Sequence, residues 1–287
     1  MASHSLLEAA RPPLSVPRPA MRPNLAKQRR LPVPALWPAW RIASVQMGLL
    51  LGLVAVWEIG ARLGLIDAFF WSQPSSIAQT MVTFFQGGTA FLDIGVTFEE
   101  TICGFALGTT MGALLGLSFW WSRNWAQVLQ PYIICFESIP KLALAPLVIL
   151  VFGMGLASKI AIATALTLVV STITTYSGVR ALDPDGERLF YSLGASRWQV
   201  FRKYVVPSCI PWVISILRVN IGLALTGAVV GEFIASEHGL GRTIFYAGQT
   251  YEIGLVWVAV LVLAGLSVGM YLAVSWLERV LAMGIER

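Results

Sequence analysis

Ionisable side chains are sparse in this 287-residue chain, and several fall inside long apolar runs where an unpaired charge is costly. One run carries Glu137, Pro140, Lys141 and Pro146, and another carries Arg218, Asn220 and Glu232. Glu137 and Lys141 are one helical turn apart, so they can neutralise each other or each can face a water-filled path. Each proline removes a backbone donor and frees an upstream carbonyl, which a membrane tolerates only against protein or water. The run holding Glu137 to Pro146 is therefore expected to line a pathway or gate. Arg218 and Glu232 lie about 40° apart around one helix but about 21 Å apart along it, so each needs a partner elsewhere. Glu232 is a candidate gate or docking residue.

Covalent chemistry is not expected. His4 and His238 are the only histidines, and Cys103, Cys135 and Cys209 have no CxxC spacing. No HExxH, GxSxG or Walker A pattern occurs, so the chain encodes neither a zinc site, a hydrolase elbow nor an ATPase of its own. No metal, cofactor or catalytic residue is assigned, and a membrane-embedded enzyme is the least supported reading. Energy drawn from ATP would have to enter through another chain.

The elements that position these residues are membrane spans. Hydrophobic residues make up 56% of the chain and charged ones 12%, with a mean hydropathy of +0.72, which identifies an integral membrane protein in a lipid environment with no sign of nucleic-acid binding. Apolar runs at 44–66, 94–121, 127–152, 160–178, 212–235 and 255–281 predict an all-α fold of six transmembrane helices. Glu58 and Arg62 can pair within the first. Gly104, Gly108, Gly112 and Gly116 recur every fourth residue in the second, a ridge that lets another helix approach closely. Pro74 and Ser75 begin a short amphipathic helix between these two spans. Residues 1–43 form a basic, proline-rich tail expected to be disordered, ahead of a transmembrane domain over 44–287. Arginine and lysine in the tail, at Arg123, throughout 180–203 and at Arg279 and Arg287 share one side, whereas Lys159 and Arg242 mark the other. The positive-inside rule places both termini and the large loop in the cytoplasm.

That loop, residues 180–211, spells two short helices. Asp183 is a good N-cap, Pro184 suits the first helical position, and Asp185 and Glu187 fall in the acid-preferring first turn. Gly194 ends this helix, and Ser196 with Gln199 forms a capping-box pattern that starts another. Trp198, Phe201 and Val205 are expected on one face of the second helix, which Pro207 should stop. Pattern alone fits a basic amphipathic hairpin on the membrane surface.

The order SLGASRWQVFRKYVVP around Gly194 also resembles the cytoplasmic "EAA" loop of ABC importer permeases, with Gly194 matching its glycine and Pro207 its proline. Arg188, Leu189 and Phe190 replace the Glu-Ala-Ala start, and Glu187 lies one position before it. Trp57-Glu58, the QPSSI turn, ESIPKLALAPLVILVFGMG, LRVNIGLALTGAVVGEFIAS and the GLG of Gly239 to Gly241 are similar to the nitrate/sulfonate/taurine branch of those permeases. The resemblance covers nearly everything after the tail. It implies a bacterial inner-membrane permease for a small solute such as nitrate, a sulfonate, taurine or a thiamine precursor, delivered by a soluble periplasmic or extracellular binding protein. It further implies a permease homodimer and an ABC ATPase subunit that uses the ATP, with Glu187, Gly194, Ala195, Ser196, Arg197, Phe201 and Pro207 in the coupling loop. A secondary transporter using Glu137 or Glu232 as an ion site is the alternative.

Overall fold

A computed structural model describes residues 37–285, and the tail over 1–36 lies outside these residues. Every regular element among the described residues is helical. In order they are α1 (Ala39–Arg62), α2 (Ala68–Trp71), α3 (Pro74–Gln86), α4 (Ala90–Ser118), α5 (Arg123–Ser138), a 3-10 turn (Lys141–Leu144), α6 (Ala145–Phe152), α7 (Leu156–Arg180), α8 (Pro184–Ser192), α9 (Arg197–Val200), a π turn (Phe201–Val205), α10 (Val206–Ile234), α11 (Leu240–Gln249) and α12 (Ile253–Ile285). Helix α1 begins at Ala39, so residues 39–43, assigned to the tail from sequence, are helical instead. The apolar, well-formed helix simply extends one turn further back than the hydropathy window.

The chain divides after Leu51 into two units. In residues 37–51 every side chain is exposed, and the Ser44 hydroxyl donates to the Arg41 carbonyl at 3.0 Å. In residues 52–285, α4, α7 and α10 pack together as the centre. The glycine ridge explains this packing. A Cβ at Gly104, Gly108, Gly112 or Gly116 would overlap α7 at Ala163, Thr167, Leu168 and Ser171, or Thr175. Helix α10 approaches α7 in the same way, with Gly227 against Ala163 and Gly231 against Lys159. Ala163 is thus held between glycines of two helices, and close backbone approach replaces the solvent-driven burial that lipid does not supply.

Among the described residues, five helices are long and apolar enough to span a membrane, and a bent pair, α5 with the segment Lys141–Phe152, makes up to a sixth. The sequence reading took 127–152 as one span; the structure bends it by 81°. Proline accounts for the break. It drives the preceding residue out of the helical region, and Ile139 accordingly has ψ 130° while Pro140 has ψ 86°. Pro146 causes no further bend because it falls in the first turn of α6, where its missing N–H would have had no helical partner.

Pro207 does not stop the helix it follows. Residues 197–234 run as one helix through the π turn, in which the Val206 N–H bonds to the Phe201 carbonyl. The wider turn falls immediately before Pro207, so its ring and lost donor are accommodated at the start of α10. The extra residue also rotates the side chains that follow by about 100°. Trp198 and Phe201 stack together at 5.5 Å, and Val205 is buried with Val200 and Cys209 in a cluster that Phe201 also packs against and Trp198 does not.

Candidate functional site

The hairpin of α8 and α9 is built as the local signals demand. Asp183 accepts the Asp185 N–H at 3.0 Å, and Ser196 and Gln199 close a reciprocal capping box. Between them Gly194 has φ +78°, with its N–H on the Tyr191 carbonyl and the Ala195 N–H on the Phe190 carbonyl, both at 3.0 Å. A Cβ at Gly194 would meet nothing within 4 Å. The glycine is therefore required by backbone conformation and not by space.

One face of the hairpin is rooted and the other is bare. Val200 and Val205 are fully buried against Leu117, Trp120, Val179, Leu182 and Phe190. The Tyr204 hydroxyl donates to the Asp183 carbonyl at 2.8 Å, and Gly186 leaves room for that ring. The Arg197 guanidinium lies over the rings of Trp120 and Trp121 at 5.4 and 5.2 Å and donates to the Trp121 carbonyl, tying α9 to the α4–α5 turn. Facing outward, Leu193 is 77% exposed, Leu189 59% and Trp198 58%, among exposed Arg188, Arg202 and Lys203. Glu187 is half-buried, Ala195 and Phe201 are half-buried, and Ser196 and Pro207 are exposed.

The broken helix brings only part of its expected set to a cavity. A hollow of about 480 Å³ between α5, α6 and α7 is lined by Phe119, Tyr132, Phe136, Lys141 and Thr172 among apolar neighbours. Glu137, Pro140 and Pro146 do not line it. Glu137 is exposed, and Lys141 Nζ donates at 3.3 Å to the Glu137 backbone carbonyl, not to its carboxylate. The ion pair weighed from sequence is therefore absent; the bend at Pro140 carries Lys141 past the carboxylate.

In the second set, Arg218 and Asn220 form two separate structural nodes. Arg218 bonds to Glu278 of α12 and lies over Tyr271 at 5.8 Å. Asn220 is buried and donates to Thr109 and Ser171 at 2.9 and 2.6 Å, joining α10 to α4 and α7. Neither residue lines the large cavity.

Glu232 lies in a cluster that sequence reasoning did not assemble. It is 1% exposed and accepts from the Thr97 hydroxyl at 2.6 Å and from the Gly241 N–H at 2.5 Å. The next two N–H groups back are held as well, Leu240 by Thr97 at 2.9 Å and Gly239 by Asp93 at 3.0 Å. Three consecutive backbone donors at the start of α11 thus meet two carboxylates and a hydroxyl from α4 and α10, which is where a helix favours negative charge. This explains the GLG sequence. Gly239 has φ +121°, and a Cβ at Gly239 or Gly241 would fall on the Glu232 carboxylate.

Glu100 and Lys159 complete the cluster. Glu100 is buried beside Glu232, and its Oε2 has no hydrogen-bond partner among the described residues. Lys159, counted from sequence as an outer-surface marker, is instead 1% exposed and donates to the carbonyls of Met154 and Gly155. The carbonyls left bare by the α6–α7 turn account for its inward direction. Asp93 and Lys159 bordered predicted spans and Glu100 lay inside one, and charges at such positions were the signal available.

A multi-pass helical protein with a rooted hairpin at one end and a cavity at a broken helix has parts suited to moving a solute. Residues 108–283 match the family described as binding-protein-dependent transport system inner membrane component, and the chain belongs to that family. It is a transmembrane permease of an ATP-driven ABC importer of the inner membrane, not an enzyme. The formylaminopyrimidine transport permease of Halalkalibacterium halodurans is 30% identical, over 80% of this chain and 91% of that one. The riboflavin transport system permease of Chloroflexus aurantiacus is 32% identical, over 88% and 97% respectively. The fold is shared with a chain of a bacterial alginate ABC transporter, at a TM-score of 0.59 and 17% identity, over 84% of this chain and 95% of that one. An importer of this family works with an ATPase and a soluble binding protein.

Proposed function

We propose that the α8–α9 hairpin receives the ATPase subunit and that two copies of this chain enclose the translocation path. The observation that carries this reading is the hairpin's two-sided construction, an apolar and basic outer surface fixed to the bundle by a buried underside. Exposed Leu189, Leu193 and Trp198 are more apolar surface than a hairpin needs for its own stability, and they suit a docking groove. Glu187, Gly194, Ala195, Ser196, Arg197, Phe201 and Pro207 belong to this unit, with Gly194 and Ser196 shaping it and Arg197 and Phe201 anchoring it. ATP is bound by the partner; this chain needs no cofactor. Both termini and the hairpin are cytoplasmic. The burial of Lys159 supports that orientation, because it leaves Arg242 and the Glu58-paired Arg62 as the basic residues of the opposite end.

The solute is a small molecule of the thiamine-precursor or related heteroaromatic class, ahead of nitrate, taurine or a sulfonate. The cavity wall supports this order, since Phe119, Tyr132 and Phe136 offer rings and Lys141 is its one cation. The two relatives named for formylaminopyrimidine and riboflavin point the same way. Lys141 is the pathway residue of the set weighed from sequence, whereas Pro140 shapes the wall and Arg218, Asn220 and Glu232 hold helices together.

Reconstitution of the permease with its ATPase and binding protein in proteoliposomes tests the reading. ATP-dependent uptake of a labelled aminopyrimidine, insensitive to a protonophore, is expected. Uptake that needs no ATP and collapses with the protonophore would instead establish a secondary transporter.

A further inference from the structure

At the end of the bundle away from the hairpin, the α2–α3 turn and the α11–α12 turn face each other across a pocket of about 380 Å³. It shares no lining residue with the cavity at the broken helix. Ser72 and Tyr251 are the two non-glycine residues with positive φ among the described residues, at +58° and +59°, and both line this pocket. With ψ −171°, Ser72 occupies a region otherwise nearly restricted to glycine. Such conformations persist where the surroundings over-determine them, and they cluster at ligand clamps.

Each conformation contributes a wall. The Tyr251 ring stacks on Phe69 at 5.9 Å and 22°, forming an aromatic side. Ser72 turns inward to 7% exposure, joining Ser76 and Thr80 in a hydroxyl-bearing side. Glu252 adds a carboxylate that forms no ion pair among the described residues, and no lysine or arginine lines the pocket.

That lining fits one chemistry. An anion would meet an uncompensated carboxylate, and a purely apolar group would strand the hydroxyls. A primary ammonium has three donors and no acceptor, which match a carboxylate and hydroxyl oxygens, and its charge is attracted by ring faces. We propose that this pocket binds a primary ammonium group, carried by an aminophospholipid head or by a free small amine. Phe69, Phe70 and Trp71 stand exposed beside it, the aromatic character of a membrane interface, where a lipid head would be presented.

Native mass spectrometry of the purified full-length protein, titrated separately with phosphatidylethanolamine and phosphatidylglycerol, tests the lipid source. Ethanolamine titrated onto the detergent-solubilised protein, read by thermal shift, tests the free amine. Several-fold preferential retention of phosphatidylethanolamine, or a rise in Tm with ethanolamine, is expected in the unaltered protein, and either should be lost in Glu252→Gln. Gly254→Leu should also abolish it, because a Cβ at Gly254 already lies 3.2 Å from Thr80 Oγ1 and 3.7 Å from Ser72 Oγ, so a longer side chain fills the pocket. Phosphatidylethanolamine preference without an ethanolamine response assigns the lipid, and the converse assigns the free amine. Equal retention of both lipids with no ethanolamine response, or a response unchanged in Glu252→Gln, overturns the proposal. Gel filtration of Glu252→Gln, a conservative change at an exposed residue, verifies folding even if Gly254→Leu fails to assemble.

Discussion

The Thr97 hydroxyl donates to the Glu232 carboxylate at 2.6 Å while its oxygen accepts the Leu240 N–H at 2.9 Å, so one side chain of α4 fastens both the end of α10 and the start of α11. Thr97→Val keeps the shape and removes both bonds. Leaving a buried carboxylate and a buried amide short of a partner costs about 1–3 kcal/mol each, so a clear fall in Tm is expected, where Thr97→Ser should retain most of it. Thermal unfolding of the detergent-solubilised protein measures the difference; equal Tm values for the two variants would show that the hydroxyl is not fastening α11.

Gly239→Ala and Gly241→Ala attack the same junction from the other side. Both place a Cβ on Glu232, and Gly239 adds backbone strain of about 1–3 kcal/mol. Gly248→Ala, in the same short helix but with nothing within 4 Å of the added carbon, should be tolerated. Protease sensitivity near α11 distinguishes them, with the first two cleaved faster than Gly248→Ala.

Glu100→Gln supplies an amide donor beside Glu232 where the carboxyl leaves Oε2 without a partner. The substitution is expected to preserve or raise Tm and to leave ATP-driven uptake intact. Loss of uptake at unchanged Tm would give the carboxyl a transport task of its own.

Because Lys141 bonds to the Glu137 backbone carbonyl, Glu137→Gln should have little effect on assembly or uptake, and Lys141→Met should act through the cavity. A double change is then no better than Lys141→Met alone. Solute uptake by the three variants measures this, and rescue of Lys141→Met by Glu137→Gln would restore the charge-pair reading.

Gly194→Asp imposes a side chain on a left-handed residue and adds negative charge to a basic hairpin, at a local cost of about 1 kcal/mol. Insertion of the spans should survive, while co-purification of the ATPase falls or hydrolysis continues without uptake. Normal coupled uptake would remove the hairpin from the docking surface.

Signals confined to a few adjacent residues were legible in the sequence. Asp183, Gly194 and the Ser196 to Gln199 box act within one turn, and the four glycines of α4 declare a packing ridge by spacing alone. The Glu58 to Arg62 pair forms at 2.7 Å, and Glu58 also accepts the Ser75 N–H at 3.0 Å, a second bond that spacing could not supply. Long-range relationships were not legible. Asp93 and Gly239 are 146 positions apart, and Thr97 and Glu232 are 135 apart, so no local pattern joins them. Lys159 illustrates the limit of counting charge by position, since its direction depends on carbonyls freed by the preceding turn. Pro207 shows another, because a stop signal loses its force when a π turn precedes it.

The continuous course from Arg197 to Ile234 makes the hairpin end and the far end of α10 parts of one rod. At 1.5 Å per residue, its 38 residues extend about 57 Å. Tilting such a rod by about 3° about one end displaces the other by about 3 Å, roughly the length of a hydrogen bond. Glu232 sits near that far end, bonded to the first turn of α11. A small swing imposed on the hairpin is thereby amplified with distance, and it arrives at a junction whose bonds a 3 Å displacement would break.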